Sequence, residues 1–176
     1  MKKLTLTVVA AIMATMTINA QDEWRNEISV AYGAGSNTDI VSSIGVGMFT
    51  GKQTSYWGPI SVEYFRHFSS GLGIGGVAAI GGCKWSDHDD AKTTYFTFMP
   101  AVKYNWLVKR HFGMYSKGAV GVTIAKDSGV HKNDSRAEFN WQASLVGLEF
   151  GGALRGFVEL GMGEQGVAVG GLRYKF

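Results

Sequence analysis

In YFTFMPAVKYNW, Phe96, Phe98, Val102, Tyr104 and Trp106 share one parity, and Thr97, Ala101, Lys103 and Asn105 share the other. Side chains alternate between faces only along an extended chain, so this pattern specifies a strand. The same alternation returns along the sequence. Ile28, Val30 and Tyr32 alternate with Ser29, Ala31 and Gly33. Ile60, Val62, Tyr64 and Phe68 alternate with Ser61, Glu63, Phe65 and His67. It continues through LGIGGVAAIGG, SKGAVGVTIA, AEFNWQASL, RGFVELGMG and VAVGGLRYKF. The segments run about 9–14 residues, longer than the five or six usual in water-soluble sheets. A tilted strand needs roughly 9–11 residues to cross a bilayer.

The connectors are of two kinds. HFSSG, VKRH and FGGALR are tight, whereas KWSDHDDAK and KDSGVHKNDSR are long and charged. Short turns alternating with long loops are expected of a transmembrane barrel, with the turns in the periplasm and the loops outside. SNTDIVSSIGVGMFTG could supply a further strand, but a bacterial single-chain barrel needs an even number. Counting it would also put the charged KWSDHDDAK loop on the turn side. Residues 36–57 therefore read as a long first extracellular loop opening on the helix-capping residues Ser36, Asn37, Thr38 and Asp39. The strands are then expected near 27–35, 59–68, 71–83, 93–107, 112–125, 137–150, 155–163 and 166–176. The predicted fold is all-β: an eight-stranded antiparallel up-and-down transmembrane barrel with a filled polar lumen.

Export is expected from the other end of the chain. MKKLTLTVVAAIMATMTINA has a cationic start, a short apolar run and a small residue before a cut, so residues 1–20 read as a cleaved signal peptide. Residues 21–26 then form a short N-terminal segment and residues 27–176 the barrel. Cys83 is the only cysteine, so no intrachain disulfide can hold the exported fold. Glycine is common, 25 residues, and proline rare, 2 residues; with 12% aromatics this argues against both collagen and disorder. A net charge of +3, scattered along the chain, gives no nucleic-acid footprint. No later apolar run is long enough for a membrane helix.

Alternation assigns side chains to the two faces of the wall. The lumen should hold Glu63, Lys103, Lys117, Glu159, Arg173 and Lys175, joined as an ion network that plugs the centre without an open pore. Gly73, Gly75, Gly81, Gly121, Gly161 and Gly171 share that face and make room for long polar groups. Aromatics gather at strand ends, with Tyr104, Trp106 and Phe112 near the turns and Phe139 and Trp141 near the loops, as interfacial girdles. The alternation slips in VGLEFGG, where Val146, Leu148 and Phe150 take the parity of Asn140, Gln142 and Ser144. Either Gly147 marks a bulge or that end of the lumen is apolar.

The chain ends GLRYKF, with Leu172, Tyr174 and Phe176 on the apolar side and Arg173 and Lys175 opposite. This ending resembles the C-terminal signal of outer-membrane β-barrel proteins, which the resemblance implies is read by the barrel-assembly machinery. GPISVEYFRHFSSGLGIGG, FMPAVKYNWLVKRHFGMYSKGAVGV and GFVELGMGEQGVAVGGLRYKF are similar to small outer-membrane barrels of the OmpA-like transmembrane type. That resemblance implies a Gram-negative outer membrane, with lipid and lipopolysaccharide as surroundings, a monomer, and no particular activity.

Candidate chemistry is sparse. GLGIGG, with Gly71, Gly73 and Gly76, matches a dinucleotide fingerprint, but more strand follows it where a phosphate-holding helix is required. Asp87, His88, Asp89 and Asp90 could meet a cation, although their spacing fits no known loop. His88, His131, Ser128 and Ser135 fall at no triad spacing. His67 and His111 lie near turns and are expected to hydrogen-bond there. Lys84, Lys92, Lys126, Lys132 and Arg136 could hold lipopolysaccharide phosphates at the outer rim. The expected role is structural or surface interaction, with no catalytic, metal or cofactor site; the alternative is a lipid-modifying enzyme acting at the extracellular rim.

Overall fold

The structure is a computed structural model that describes residues 24–37, 54–68, 70–85, 92–128 and 135–176. Its strands are β1 (Asn26–Ala34), β2 (Thr54–His67), β3 (Leu72–Trp85), β4 (Lys92–Val108), β5 (Phe112–Ser128), β6 (Ser135–Gly151), β7 (Leu154–Gly163) and β8 (Ala168–Lys175). Each pairs antiparallel with the next, and β8 pairs with β1, so the sheet is a closed eight-stranded barrel. Closure aligns Glu27 with Lys175, Ser29 with Arg173 and Ala34 with Ala168. Asn26 and Phe176 exchange a pair of main-chain hydrogen bonds, 2.8 and 2.9 Å, at the seam.

Burial follows the alternation but in the sense opposite to that of a soluble protein. Along β1, Glu27, Ser29, Ala31 and Gly33 are buried while Ile28, Val30 and Tyr32 are exposed. The outward face carries Val62, Tyr64, Phe98, Val102, Val120, Val122, Val158 and Leu172, all exposed. The inward face is mostly polar, with two apolar clusters set in it. Phe65, Val77, Met99, Ala101 and Ala119 form one; Ala31, Tyr115, Phe157 and Val169 form the other. Adjacent backbones pass closely where the sheet coils. A Cβ added at Gly75 would lie 1.8 Å from the Tyr64 carbonyl oxygen, and one at Gly121 2.0 Å from that of Phe98. Only glycine fits such an approach.

The expected boundary of the first loop is corrected at one end. Thr54–Trp57 belong to β2 and pair with Trp85–Gly82 of β3. Gly58 and Pro59, which read as the start of a strand, instead lie within one. The register shifts between Trp57 and Ile60, and this bulge accommodates them. Gly58 has φ of 87°, a conformation open to glycine. The rest of the loop, residues 38–53, lies outside the described residues, as does the signal peptide. At the other end of the chain, β8 begins at Ala168 rather than at residue 166. The preceding residues fold into the barrel, as described below.

The slip in VGLEFGG is a bulge, although not at Gly147. The β6–β7 register shifts between Ser144 and Val146. Ser144 points inward, Leu145 is 69% exposed, and the inward parity resumes at Gly147 and Glu149. Gly147 pairs with Tyr115 on the neighbouring strand β5, and an added Cβ would lie 2.3 Å from the Tyr115 ring.

Candidate functional site

The lumen is a charge network. Its buried acids are Glu27, Glu63, Glu149, Glu159 and Glu164, and its buried bases Lys103, Lys117, Arg155, Arg173 and Lys175, so five acids and five bases are buried among the described residues. Removing charges from water is costly, and only pairing and hydrogen bonding offset that cost. Arg173, on β8, is the hub. Its guanidinium lies 3.3 Å from Glu27, 3.3 Å from Glu63, 3.0 Å from Glu149 and 3.6 Å from Glu159. It also stacks over Phe157 at 4.1 Å and Tyr115 at 4.7 Å. These rings satisfy a planar cation on its faces while the carboxylates meet its edge.

Around this hub the network divides. Toward the centre, Lys117 sits between Glu63 at 2.5 Å and Glu159 at 2.8 Å. Tyr115 and Ser144 donate to the two oxygens of Glu159 at 2.6 and 2.7 Å, and Ser29 donates to Glu63 at 2.9 Å. Toward the turns, Lys103 meets Glu27 at 2.7 Å and lies 3.8 Å above the Tyr115 ring. Lys175 donates to Glu149. Arg155 reaches Glu149 at 2.9 Å and donates to the main-chain carbonyls of Lys109, Arg110 and Gly152. The Arg155 guanidinium also lies over the Trp24 ring at 4.8 Å.

The loop end is closed differently. The β7–β8 connection turns inward, burying Glu164 and Gln165. Gln165 donates to Ser61 at 2.9 Å and Glu63 at 2.7 Å, and its own N–H donates to Gln142 at 2.8 Å. Asn140 donates to Glu164 at 2.9 Å, and the Thr97 and Thr123 hydroxyls lie 2.7 Å apart beneath it.

The structure thus brings Glu63, Lys103, Lys117, Glu159, Arg173 and Lys175 together in one buried set. Sequence reasoning missed Glu27, Glu149, Arg155, Glu164 and Gln165. Glu27 and Arg155 share the inward parity of their strands and could have been read from it. Glu149 was hidden by the bulge, and Glu164 and Gln165 by lying in a turn.

Of the aromatic positions, Tyr104, Trp106, Phe139 and Trp141 are exposed on the outward face. Phe112 packs against Phe150 with ring centroids 5.0 Å apart. Leu172 faces outward, and Tyr174 stacks on Phe176 at 5.9 Å. His67 contacts the Asn105 amide at 3.1 Å and Glu27 at 3.0 Å. His111 is exposed in its turn, where its carbonyl accepts from Gly151.

Gly73 and Gly76 lie within β3, so GLGIGG opens no helix. Asp87, His88, Asp89, Asp90, His131 and Lys132 lie outside the described residues; Ser128 ends β5 and Ser135 begins β6. Lys126 and Arg136 are exposed at the loop end. No group of three metal-ligating side chains occurs among the described residues.

No family model matches the chain, and no curated protein does. Among solved structures it is similar to Ail, the attachment invasion locus protein of Yersinia pestis, determined with the heparin analogue sucrose octasulfate. That match has 16% identity and a TM-score of 0.47, and covers 86% of this chain and 97% of that one. It is also similar to the outer membrane protein Ail of Yersinia pestis in a phospholipid bilayer nanodisc, at 15% identity and a TM-score of 0.48, over 88% of this chain and all of that one. The fold itself is defined by the unbroken cycle of strand pairs: a closed, eight-stranded antiparallel barrel.

Proposed function

We propose that this chain is an outer-membrane barrel whose loop-side wall serves as a surface for interaction. The membrane part of the reading is supported by the outward face. An apolar face that encircles the sheet would aggregate in water, whereas acyl chains cover it at no cost. Aromatic side chains at both ends suit the two interfaces. The filled lumen suits a barrel that conducts no solute, and Leu172, Tyr174 and Phe176 suit a signal for the assembly machinery.

The observation that carries the interaction role is the uneven height of the wall. β4, β5 and β6 have 17 residues each, but β1, β7 and β8 have only 9, 10 and 8. Residues 135–140 pair with β5, while β7 joins β6 only from Gln142. Roughly 20 Å of β6 therefore stands with one edge without a neighbouring strand among the described residues. Residues 135–139 are exposed along it, and Phe139 is 73% exposed. Such an edge offers main-chain donors and acceptors to an added strand. Its Arg136 and Glu138 discourage indiscriminate pairing.

The test uses intact cells and a Cys83→Ser background. Ala137→Cys should react with a membrane-impermeant maleimide, and a photo-crosslinker at position 137 should give a discrete protein adduct that one at position 145 does not. The protein should fractionate with the outer membrane and show heat-modifiable gel migration. Labelling only after lysis, or recovery as a detergent-free soluble monomer, would overturn the reading.

A further inference from the structure

The turn-side mouth of the barrel opens into a vestibule of about 820 Å³, a size suited to a small ligand or a lipid headgroup. Arg25, Lys109, Arg110 and His111 line its wall, and Lys175 and His67 lie deeper. No carboxylate of the described residues lines it. The buried acids at this end are already engaged: Glu27 by Lys103, and Glu149 by Arg155 and Arg173. The cationic turn is also held in place. Arg155 donates to the main-chain carbonyls of both Lys109 and Arg110, which fixes the backbone from which their side chains project.

The rim is apolar. Phe68 and Val108 line the vestibule and are exposed, and Trp24 closes part of its wall. On the outer face of the same strand, Trp106 stands three residues before Lys109. At strand spacing, Lys109 then lies roughly 10 Å beyond the aromatic belt, at headgroup depth. A concave cationic wall with an apolar rim continuous with the outer surface fits an amphiphile: an anionic head inside, its chains along the wall.

We propose that this vestibule binds the phosphate headgroup of an anionic glycerophospholipid from the leaflet on the turn side. The proposal rests on the membrane reading above. A soluble phosphate ester would satisfy the same cations but would gain nothing from Phe68 and Val108, which is why the lipid is preferred.

Purified chain in detergent would be incubated with equal amounts of phosphatidylglycerol and phosphatidylcholine and examined by native mass spectrometry. The expected result is retention of one phosphatidylglycerol with a preference on the order of tenfold over phosphatidylcholine. Lys109→Gln with Arg110→Gln should abolish the preference, and the charge-conserving Lys109→Arg with Arg110→Lys should keep it. Glycerol phosphate at equal concentration should not displace the lipid; displacement would reassign the site to soluble phosphate esters. Equal retention of both lipids by the unaltered chain, or an undiminished preference in the glutamine variant, would overturn the proposal. Heat-modifiable migration of the same samples separates the two failures, since its loss in the unaltered chain sinks the membrane reading, whereas its retention without lipid preference sinks the site alone.

Discussion

Below Glu63 the lumen is ionic; above it, nearly neutral. Toward the turns, Glu27, Glu149, Lys103, Arg155, Arg173 and Lys175 form interlocking pairs. Toward the loops, Thr97, Thr123, Asn140, Gln142 and Gln165 are joined by ordinary hydrogen bonds, with Glu164 as the carboxylate among them. The two halves fill the same kind of space, yet they should respond very differently to damage. Removing one member of a buried charge cluster leaves its partners uncompensated. Removing a neutral hydrogen-bonding group costs only the lost bond and whatever polar atom it strands.

Arg173→Met should break the comparison most severely. It removes a cation that lies within 4 Å of four carboxylates and should cost about 3–5 kcal/mol of stability. The urea midpoint for loss of the compact, heat-modifiable form measures this, and an unchanged midpoint would show that the ionic half does not act as a unit. Glu159→Ala should follow, at about 3 kcal/mol, because Lys117 loses one of two partners and Tyr115 and Ser144 lose theirs. Gln165→Ala should be milder, about 1–2 kcal/mol, since its bonds to Ser61 and Glu63 involve an uncharged donor. If it equalled Arg173→Met, the loop-side turn would be structural to the same degree as the ionic hub, and the contrast between the halves would fail.

These two halves were also unequally legible in the sequence. Period-two alternation places Glu63, Lys103, Lys117, Glu159, Arg173 and Lys175 on one face because a barrel wall has just two sides and every strand must respect them. The signal fails where the backbone departs from the pleat. Glu149 sits beyond the Ser144–Val146 register shift, which transposes its parity. Thr54–Trp57 sit beyond the bulge at Gly58 and Pro59, where glycine and proline imitate a strand boundary. Glu164 and Gln165 lie in a connector, and a connector has no period from which direction can be read. The outward apolar face, the closure of β8 on β1 and the tight turns followed from pattern alone. The inward fold of the β7–β8 connection and the height of β6 above β7 depended on tertiary geometry.

The inward-folded connection bears on the order in which the barrel can form. Gln165 comes from the hairpin that adjoins β1, yet it bonds to Ser61 and Glu63 on β2. Arg173, in the same hairpin, supplies the central cation. Until that hairpin docks, Glu27 on β1, Glu63 on β2 and Glu149 on β6 lack their shared counter-charge, and water must solvate them. Expulsion of water from the middle of the molecule and sealing of the cylinder therefore become a single late step rather than two separable ones.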